Sequence, residues 1–253
     1  MVFLNYDKLI SSVTEMSFEA SDAVRKIQLR GSQNRFKRDH SVVTNGDIAS
    51  EKIILSQLRK LTPHIPVFSE EELYSNPNQL IPKTLWLVDP IDGTNGYSRG
   101  EPNYAICVAL VENGRATLGV IACPSYHTVH VGCVRDHHAH VTDVSGVQTD
   151  IHVRKIDPHN VISVHGAQSQ PVTFMNYENV TQIKISSAVK FCMVADGRAD
   201  IYVRNALLNE YDIAAGDALV HAAGGRMTDI RNCVITYGNQ GLLSPAFIAQ
   251  GAD

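Results

Sequence analysis

A mainly apolar run at residues 84–88 (TLWLV) is followed at once by two aspartates, Asp89 and Asp92. Such a run is typical of a strand in the interior of a sheet. Pro90 has no N–H for strand pairing, so we expect Asp89–Pro90 to end the strand, and Gly93 adds a turn signal. A single aspartate there would be a turn or helix-capping residue. Two carboxylates this close repel each other unless a cation lies between them, which makes the stretch a candidate metal site.

The rest of the chain mixes helical and strand-like patterns, which predicts an α/β protein built in layers. A loose, polar stretch around residues 145–160 indicates a junction between two halves. We therefore expect one catalytic unit over residues 1–253, with subdomains of about 1–150 and 151–253. The predicted helices cover residues 6–30, 47–61, 187–197 and 211–223, and hairpins are predicted at 104–124, with an Asn113–Gly114 turn, and at 127–146.

Composition argues against several functional classes. The 253 residues are 44% hydrophobic and 19% charged, as in a globular protein with a substantial core. The net charge of −4 argues against binding of a nucleic acid polymer. No stretch resembles a signal peptide or a membrane span, and the five cysteines form no CxxC pair. A cytoplasmic protein with free, mostly buried thiols is expected.

Further acidic residues lie at the edges of predicted elements. Asp47 and Asp212 are near helix starts, and Glu70 and Glu71 follow a short strand. Taken singly, each is explained by the helix dipole or by a solvated surface. Together with the aspartate pair they form a set of oxygen ligands that suits Mg²⁺ better than zinc. A helix start after Gly93 would add free N–H groups for a phosphate, which indicates phosphoryl chemistry.

Several ordered motifs resemble those of the inositol monophosphatase superfamily, whose members are Mg²⁺-dependent, lithium-sensitive phosphatases. The resemblance extends from about Thr44 to Gly225, which is most of the chain. It implies the fold of that superfamily, a layered α-β-α-β-α sandwich. The motifs are VTNGD (43–47), SEE (69–71), DPIDGT (89–94) with an aromatic residue at Tyr97, and YDIAAG (211–216).

Within the superfamily, residues 62–71, 186–197 and 202–216 most resemble the 3′(2′),5′-bisphosphate nucleotidase branch. The substrate of that branch is adenosine 3′,5′-bisphosphate, a by-product of sulfate activation. The resemblance therefore implies hydrolysis of its 3′-phosphate to give AMP and phosphate. The first alternative is an inositol phosphate or sugar bisphosphate as substrate on the same fold. The second is a silent member that binds nucleotide or metal as a sensor.

The resemblance also implies two Mg²⁺ ions, with a third and weaker one near Glu70. Glu70, Asp89 and the backbone carbonyl of Ile91 would hold the first ion. Asp89, Asp92 and Asp212 would hold the second, so that Asp89 bridges both. This arrangement would explain why two aspartates follow one strand so closely.

Catalytic and substrate-binding residues are implied in the same way. Thr94 and Asp47 would orient the attacking water and take its proton. The amides of Gly93 and Thr94 would hold the phosphate. Lys190 and Arg204 would bind the nucleotide or its remaining phosphate, and ordinary surface salt bridges are the alternative for both. The remaining substrate-binding position is Ser187.

The sequence departs from the superfamily pattern at a few positions. Tyr211 replaces a tryptophan and is expected to pack in the same way. Asn95–Gly96 replaces the Lys-Glu pair of the nucleotidase branch, which places the substrate in question. Glu210 stands where an apolar residue is usual, and the sequence suggests no role for it. A histidine cluster at the predicted tip of the second hairpin is expected to be solvated: His137, His138 and His140.

The resemblance also implies the partners. A small phosphorylated molecule would be the substrate, and no nucleic acid polymer or integral membrane segment is expected. Because members of the superfamily are often dimers, a homodimer is possible.

Overall fold

The computed structural model describes residues 4–37, 41–75, 80–166 and 177–252. A helix lies in each of the four stretches where the sequence predicts one, and the helix Glu70–Ser75 was not predicted. The first begins after Asn5, whose side chain accepts a hydrogen bond from the Lys8 amide, and ends at Gly31. Within the described ranges, every helix is too short or too polar to cross a membrane. The helices are α1 (Tyr6–Arg30), α2 (Asn45–Leu61), α3 (Glu70–Ser75), α4 (Thr94–Ser98), α5 (Val189–Ala195) and α6 (Glu210–Ala222), with a 3₁₀ turn at Pro124–Tyr126.

Two larger sheets organise the described strands. The strands are β1 (Asn34–Phe36), β2 (Val42–Thr44), β3 (Val67–Ser69), β4 (Leu85–Asp92), β5 (Ala105–Glu112), β6 (Arg115–Cys123), β7 (Thr128–Cys133), β8 (His138–Asp143), β9 (Gln148–Asp150), β10 (Val161–His165), β11 (Val180–Lys184), β12 (Ile201–Arg204), β13 (Leu208–Asn209), β14 (Arg226–Asp229), β15 (Leu243–Ser244) and β16 (Phe247–Gln250). One sheet has seven strands in the order β3-β4-β5-β6-β7-β8-β9, parallel only between β3 and β4. The other has five, in the order β11-β10-β12-β16-β14, with β10 parallel to both neighbours.

The elements stack in layers because each sheet buries apolar side chains on its faces. Helices α1 and α2 cover one face of the seven-stranded sheet, around Trp86 and Val88. Helices α5 and α6 pack between the two sheets, in a core that includes Phe191, Tyr202 and Phe247. The described residues thus build four of the five predicted layers. The apolar cluster on the outer face of the five-stranded sheet contains no residue from a described helix.

Both predicted hairpins are present. Strands β5 and β6 are joined at Asn113–Gly114, where both residues have positive φ angles, 52° and 77°. This is the backbone geometry that a tight hairpin turn needs, and Asn-Gly adopts it readily. Strands β7 and β8 form the second hairpin. The local pattern of alternating apolar runs and turn residues was therefore sufficient to locate them.

The expectation that Asp89–Pro90 ends its strand was wrong. Strand β4 continues to Asp92, through a bulge in its pairing with β5. Asp89 pairs with Cys107, and the next pair is Asp92 with Ala105. Pro90 lies inside the bulge, where the ladder requires no N–H from it. The proline is thus accommodated without ending the strand.

The sequence predicted that the three histidines lie at a solvated hairpin tip. The structure places one of the three there. His137 is in the turn, with a φ angle of 48°, but His138 and His140 belong to β8. These two histidines are two positions apart, so their side chains lie on the same face of β8, with ring centroids 5.2 Å apart. His140 is buried, while the side chain of His138 stays exposed and contacts Asp150. Burial lowers the pKa of His140. His140 is therefore a buried residue of a strand and not part of a solvated loop.

We retain the division near residue 150 as a proposal. Strand β9, the last of the seven-stranded sheet, ends at Asp150, and β10 opens the other sheet at Val161. Helix α6 follows strands of the five-stranded sheet in sequence yet packs on β5, β6 and β7 of the seven-stranded one. This packing supports a single unit with two subdomains.

Candidate active site

The β4 bulge gathers several polar groups in a short stretch. Asp89 is only 2% exposed, and its Oδ1 accepts a hydrogen bond from the Ile91 amide at 3.0 Å. The Ile91 carbonyl oxygen lies 2.8 Å from the Thr94 hydroxyl, which donates to it. The end of one strand therefore supplies carboxylates, a carbonyl and a hydroxyl close to one another.

Asp47 joins this group from the first turn of α2. Its Oδ2 accepts hydrogen bonds from the Thr44 amide at 2.8 Å and from the Thr44 hydroxyl at 2.7 Å, as in a capping box. Its Oδ1 lies 3.1 Å from Thr94 Oγ1. Because a hydroxyl carries one proton, Thr94 donates to either Asp47 or Ile91 at any one time. Asp47 thus combines helix capping with a contact to the site.

Asp212 occupies the equivalent position at the start of α6. Its Oδ2 accepts a hydrogen bond from the Asn209 amide at 2.8 Å. The carboxyl group also interacts with that of Asp89. Each of these aspartates can therefore cap its helix and also contribute to the site, because the cap uses one carboxylate oxygen and leaves the other available.

Glu70 is the first residue of α3, directly after β3. Lys37 Nζ lies 2.7 Å from a carboxylate oxygen of Glu70 and 2.7 Å from one of Glu71. Burial favours the neutral amine of Lys37, but the attraction of the two carboxylates outweighs it and raises the pKa of Lys37. A cation, here an ammonium group, therefore already lies beside this part of the acidic set.

The acidic residues fit a bound cation. Burial raises the pKa of Asp89 well above its ordinary value, and the charges of Glu70, Asp92 and Asp212 add to the increase. Burial also raises the pKa values of Asp212 and Asp92, although Lys190 opposes the increase for Asp92. An all-oxygen set whose members repel one another is the donor chemistry that Mg²⁺ prefers. The residues present therefore suit the predicted metal.

A cavity of about 320 Å³ opens beside Asp92 and Asp212. It brings these two predicted metal ligands together with every predicted substrate residue except Thr94. Glu70 lines a neighbouring cavity of about 400 Å³ with Lys37. The predicted substrate residues in the wall of the first cavity are Gly93, Ser187, Lys190 and Arg204.

The residues of that wall that the sequence did not indicate include Arg99 and Tyr202. Arg99 comes directly after α4, a helix of only five residues. The short length of this helix, which the sequence did not predict, keeps Arg99 near Gly93. The feature of the sequence that could have indicated Arg99 is its position five residues after Thr94. Tyr202 is a buried strand residue. An apolar strand pattern alone does not distinguish a residue that lines the cavity from one that belongs to the core.

Lys190 is not a surface residue. It is 4% exposed, and its Nζ donates to the Ser187 carbonyl at 2.5 Å and lies 4.9 Å from the centre of the Tyr202 ring. Burial lowers the pKa of Lys190 to about 8, against the attraction of Asp92. Lys190 therefore does not form an ordinary surface salt bridge, which was the alternative role for it.

The structure gives Glu210 a role. It is fully buried, and its carboxylate accepts hydrogen bonds from the amides of Gly238 and Asn239 at 2.6 and 3.0 Å, and from Asn239 Nδ2 at 2.8 Å. Burial raises the pKa of Glu210, while these hydrogen bonds oppose the increase. Glu210 thus fastens a loop to the start of α6, two residues before Asp212. The adjacent Tyr211 packs against the core, as a large aromatic residue was expected to do.

Comparison with known proteins assigns the family. The model of the inositol monophosphatase family matches residues 7–251, nearly the whole chain. The chain belongs to the inositol monophosphatase family. This confirms the resemblance seen in the ordered motifs. Members of the inositol monophosphatase family are generally Mg²⁺-dependent, in agreement with the all-oxygen donor set described above.

Curated relatives within the family are named as nucleotidases. The 3′(2′),5′-bisphosphate nucleotidase CysQ of Salmonella typhimurium (strain LT2) is 30% identical over 248 residues, covering 94% of this chain and 98% of the relative. The protein of the same name from Escherichia coli (strain K12) is 30% identical over 244 residues, with the same coverage. The nucleotidase branch suggested by the sequence agrees with these names.

Solved structures of the family share the fold. CysQ from Bacteroides thetaiotaomicron superposes with a TM-score of 0.76 at 22% identity and covers 98% of each chain. A lithium-soaked inhibitory complex of Staphylococcal inositol monophosphatase-1 gives a TM-score of 0.76 at 20% identity, covering 97% of this chain and 89% of the other. The predicted fold class, a layered α/β sandwich of this family type, is confirmed.

Proposed function

We propose that this chain is a Mg²⁺-dependent phosphomonoesterase that hydrolyses the 3′-phosphate of adenosine 3′,5′-bisphosphate to AMP and phosphate. One observation carries the proposal: Asp92 and Asp212 share the wall of a single cavity with Lys190 and Arg204. Acidic and basic groups in one wall suit a substrate with one phosphate to be cleaved beside metal ions and another to be held by cations. The nucleotidase names of the curated relatives support this substrate.

Two Mg²⁺ ions would be bound by the carboxylates and one carbonyl oxygen. When bound, Mg²⁺ would stabilise negative charge on phosphate oxygens and lower the pKa of a coordinated water. A third ion near Glu70 would compete with Lys37, whose Nζ lies 2.7 Å from that carboxylate. The proposed ligands are Glu70, Asp89 and the Ile91 carbonyl for the first ion, and Asp89, Asp92 and Asp212 for the second.

Thr94 and Asp47 would hold the attacking water and accept its proton. The 3.1 Å separation of Thr94 Oγ1 and Asp47 Oδ1 lets the hydroxyl donate to the carboxylate while its lone pairs accept from water. Burial raises the pKa of Asp47, against its hydrogen bonds, and so makes it a better base than an exposed aspartate.

The cations of the cavity would bind the part of the substrate that is not cleaved. Lys190 is held in place by the Ser187 carbonyl, so its charge has a defined position in the wall. Arg204 at the end of β12 and the Ser187 side chain would complete this subsite. The amides of Gly93 and Thr94 would hold the phosphate that leaves.

An inositol monophosphate is the second candidate substrate. Asn95 and Gly96 line the cavity, where the nucleotidase branch has a charged Lys-Glu pair. Their lack of charge favours a substrate with fewer phosphates. A silent sensor fits less well, since the hydroxyl–carboxylate pair of Thr94 and Asp47 is in hydrogen-bond contact.

Phosphate release from three substrates in Mg²⁺ tests the proposal: adenosine 3′,5′-bisphosphate, inositol 1-phosphate and fructose 1,6-bisphosphate. We expect kcat/KM to favour the nucleotide by about a hundredfold, or roughly 2.7 kcal/mol of transition-state discrimination. A preference for inositol 1-phosphate would make Asn95–Gly96 the better guide to the substrate. Turnover of none of the three would support the silent sensor.

A variant of the cation subsite sharpens this test. Arg204→Gln should lower kcat/KM for adenosine 3′,5′-bisphosphate while leaving hydrolysis of adenosine 3′-monophosphate nearly unchanged, because the second substrate lacks the 5′-phosphate. Arg115→Gln, at an exposed position of β6, is the matched control. Equal losses on both substrates would place Arg204 outside the 5′-phosphate subsite.

Three finer expectations belong to the same proposal. Lithium at tens of millimolar should inhibit phosphate release by competing for the second metal position. Light scattering after size-exclusion chromatography should detect a homodimer. Fractionation of cells should recover the protein with the cytoplasm.

A further inference from the structure

A cluster of two cysteines and a histidine lies outside the cavity of the proposed active site. Cys123 ends β6, His130 is in β7 and Cys192 is in α5. All three are buried, with 4% exposure or less. Their two sulfur atoms and one imidazole nitrogen lie within 4.8 Å of one another. The fold thus brings together three potential metal ligands from three elements that are distant in sequence.

The spacing of the sulfur atoms matches a metal site. Cys123 Sγ and Cys192 Sγ are 3.8 Å apart. Two thiolates bound to zinc at about 2.3 Å each, with a tetrahedral angle between them, would be about 3.8 Å apart. A disulfide would require about 2.05 Å. The sulfur atoms are therefore already at the separation that a tetrahedral ion imposes, and the pair would need to contract to form a bond.

His130 supplies the third ligand. Its Nδ1 is buried and has no hydrogen-bond partner among the residues that the structure describes. Its Nε2 lies 3.7 Å from Asp196 Oδ2, and Asp196 is held by the Arg198 guanidinium, with Nε at 2.9 Å from both carboxylate oxygens. A histidine with one nitrogen available and the other near a carboxylate is the usual arrangement of a metal-binding histidine.

We propose that Cys123, His130 and Cys192 form a binding site for one Zn²⁺ ion, separate from the Mg²⁺ site. The soft sulfur ligands select zinc, whereas the carboxylates of the active site select Mg²⁺. Binding displaces the thiol protons, so that both sulfurs bind as thiolates and His130 binds as the neutral ring. Water completes the coordination, because Asp196 lies beside the other nitrogen of His130.

The site would connect the seven-stranded sheet to α5. Cys192 lies two residues after Lys190, which belongs to the wall of the catalytic cavity. Zinc would therefore hold the helix that carries Lys190 against the end of β6 and the middle of β7. Because the three ligands are buried, the ion must enter as the chain folds. Its contribution is to stability and to the position of α5, with no part in the chemical step.

The zinc content of the full chain, expressed in zinc-supplemented medium and purified in excess Mg²⁺ with a reductant, tests the proposal. Mg²⁺ keeps zinc from the carboxylates. We expect about one Zn²⁺ per chain in the wild type and less than about 0.1 in Cys123→Ala and Cys192→Ala. Cys107→Ala is the matched control, since it removes another buried cysteine of the same core and should keep its zinc.

Cobalt gives a spectroscopic measurement that does not depend on any variant. Wild-type protein expressed with Co²⁺ should show thiolate-to-cobalt charge-transfer absorption, which carboxylate ligands cannot produce. Its absence, or equal zinc in wild type and Cys123→Ala, would overturn the proposal. So would a Cys123–Cys192 disulfide found by mass spectrometry in protein purified without reductant at full zinc supply.

Discussion

Each buried carboxylate of the active site has opposite effects on folding and on metal binding. Burial and mutual repulsion raise the pKa values of Asp89 and Asp212, which means that their charges destabilise the metal-free chain. A bound cation removes that penalty. Individual residues of this site should therefore reduce stability when the metal is absent, as active-site residues often do.

Asp92→Asn should separate the two effects. We expect kcat to fall by roughly 10³-fold or more, because a carboxylate ligand of the second ion is lost. In EDTA, the free energy of unfolding should rise by about 1 kcal/mol, since one of several carboxylates that repel one another is removed. Phosphate release and urea unfolding measure the two quantities. Asp22→Asn, which changes an exposed aspartate on α1, should alter neither. Wild-type kcat in Asp92→Asn would rule out the two-metal assignment.

Thr94 offers a test of the proposed proton acceptor pair. Thr94→Ala removes the hydroxyl that lies 3.1 Å from Asp47, and kcat should fall by about 10²–10⁴-fold. Thr94→Ser keeps the hydroxyl and should recover most of the loss. Steady-state kinetics with matched Mg²⁺ measure both variants. If serine were no better than alanine, the methyl group and its packing, and not the hydroxyl, would explain the requirement for threonine.

At the scale of elements, the position of Asp212 depends on how closely α6 approaches the seven-stranded sheet. A Cβ atom added to Gly119 of β6 would lie 2.2 Å from the Ala215 carbonyl oxygen of α6. That oxygen belongs to a helix backbone and cannot turn aside as a side chain could. The absence of a side chain at Gly119 thus determines the distance between strand and helix.

Gly119→Ala should therefore push α6 away from β6. We expect a loss of about 2–3 kcal/mol in the free energy of unfolding, as for other overpacked cores. The movement should also displace Asp212, so kcat/KM should fall under conditions where the variant is fully folded. Thermal unfolding and phosphate release provide the measurements. Arg115→Ala, at an exposed position on the same strand, should remain within about 0.5 kcal/mol of wild type.

The elements that the sequence predicted correctly are those with a local signal. The Asn113–Gly114 turn and the helix starts at Asp47 and Asp212 are encoded by neighbouring residues. The bulge at Pro90 was missed because it depends on the register of β5, which the β4 sequence does not contain. The metal and catalytic assignments came from the family motifs, and their roles stay predictions.

Residues whose role depends on distant contacts could not be predicted. Glu210 accepts hydrogen bonds from residues 238–239, and His140 is a buried residue of an interior strand of the seven-stranded sheet. Arg99 reaches the cavity wall only because α4 is one turn long. The contacts of Glu210 and His140 leave no periodic or motif-like trace in the sequence, and Arg99 is marked there by nothing more than its spacing after Thr94.

For the whole molecule, the active site joins layers that are otherwise held by apolar packing. Asp92 belongs to the seven-stranded sheet, Asp212 to the central helical layer and Arg204 to the five-stranded sheet. All three line one cavity. A cation bound by Asp92 and Asp212 would hold the seven-stranded sheet to the central helical layer, so metal binding should affect the unfolding of the entire chain.

Mg²⁺ at about a hundred times its Kd should raise Tm by roughly 5–10 °C over protein in EDTA, which corresponds to about 2.7 kcal/mol. A carboxyl group whose pKa is raised by folding stabilises the protein below its ordinary pKa, near 4, and this contribution is lost as the pH rises through the folded value. Stability in EDTA should therefore fall with rising pH, and the effect of Mg²⁺ should grow from about pH 5 to 8. Calorimetry at both pH values measures this, and an equal Tm with Mg²⁺ and EDTA at pH 8 would contradict it.

The two capping aspartates have a consequence for how this protein can change over generations. Asparagine can accept the same backbone hydrogen bond as Asp47 or Asp212, so either replacement leaves the helix start intact while removing a negative charge from the site. Aspartate and asparagine codons differ by a single base. One point mutation could thus convert this chain into a folded binder of phosphorylated ligands that no longer cleaves them, without any compensating change in the fold.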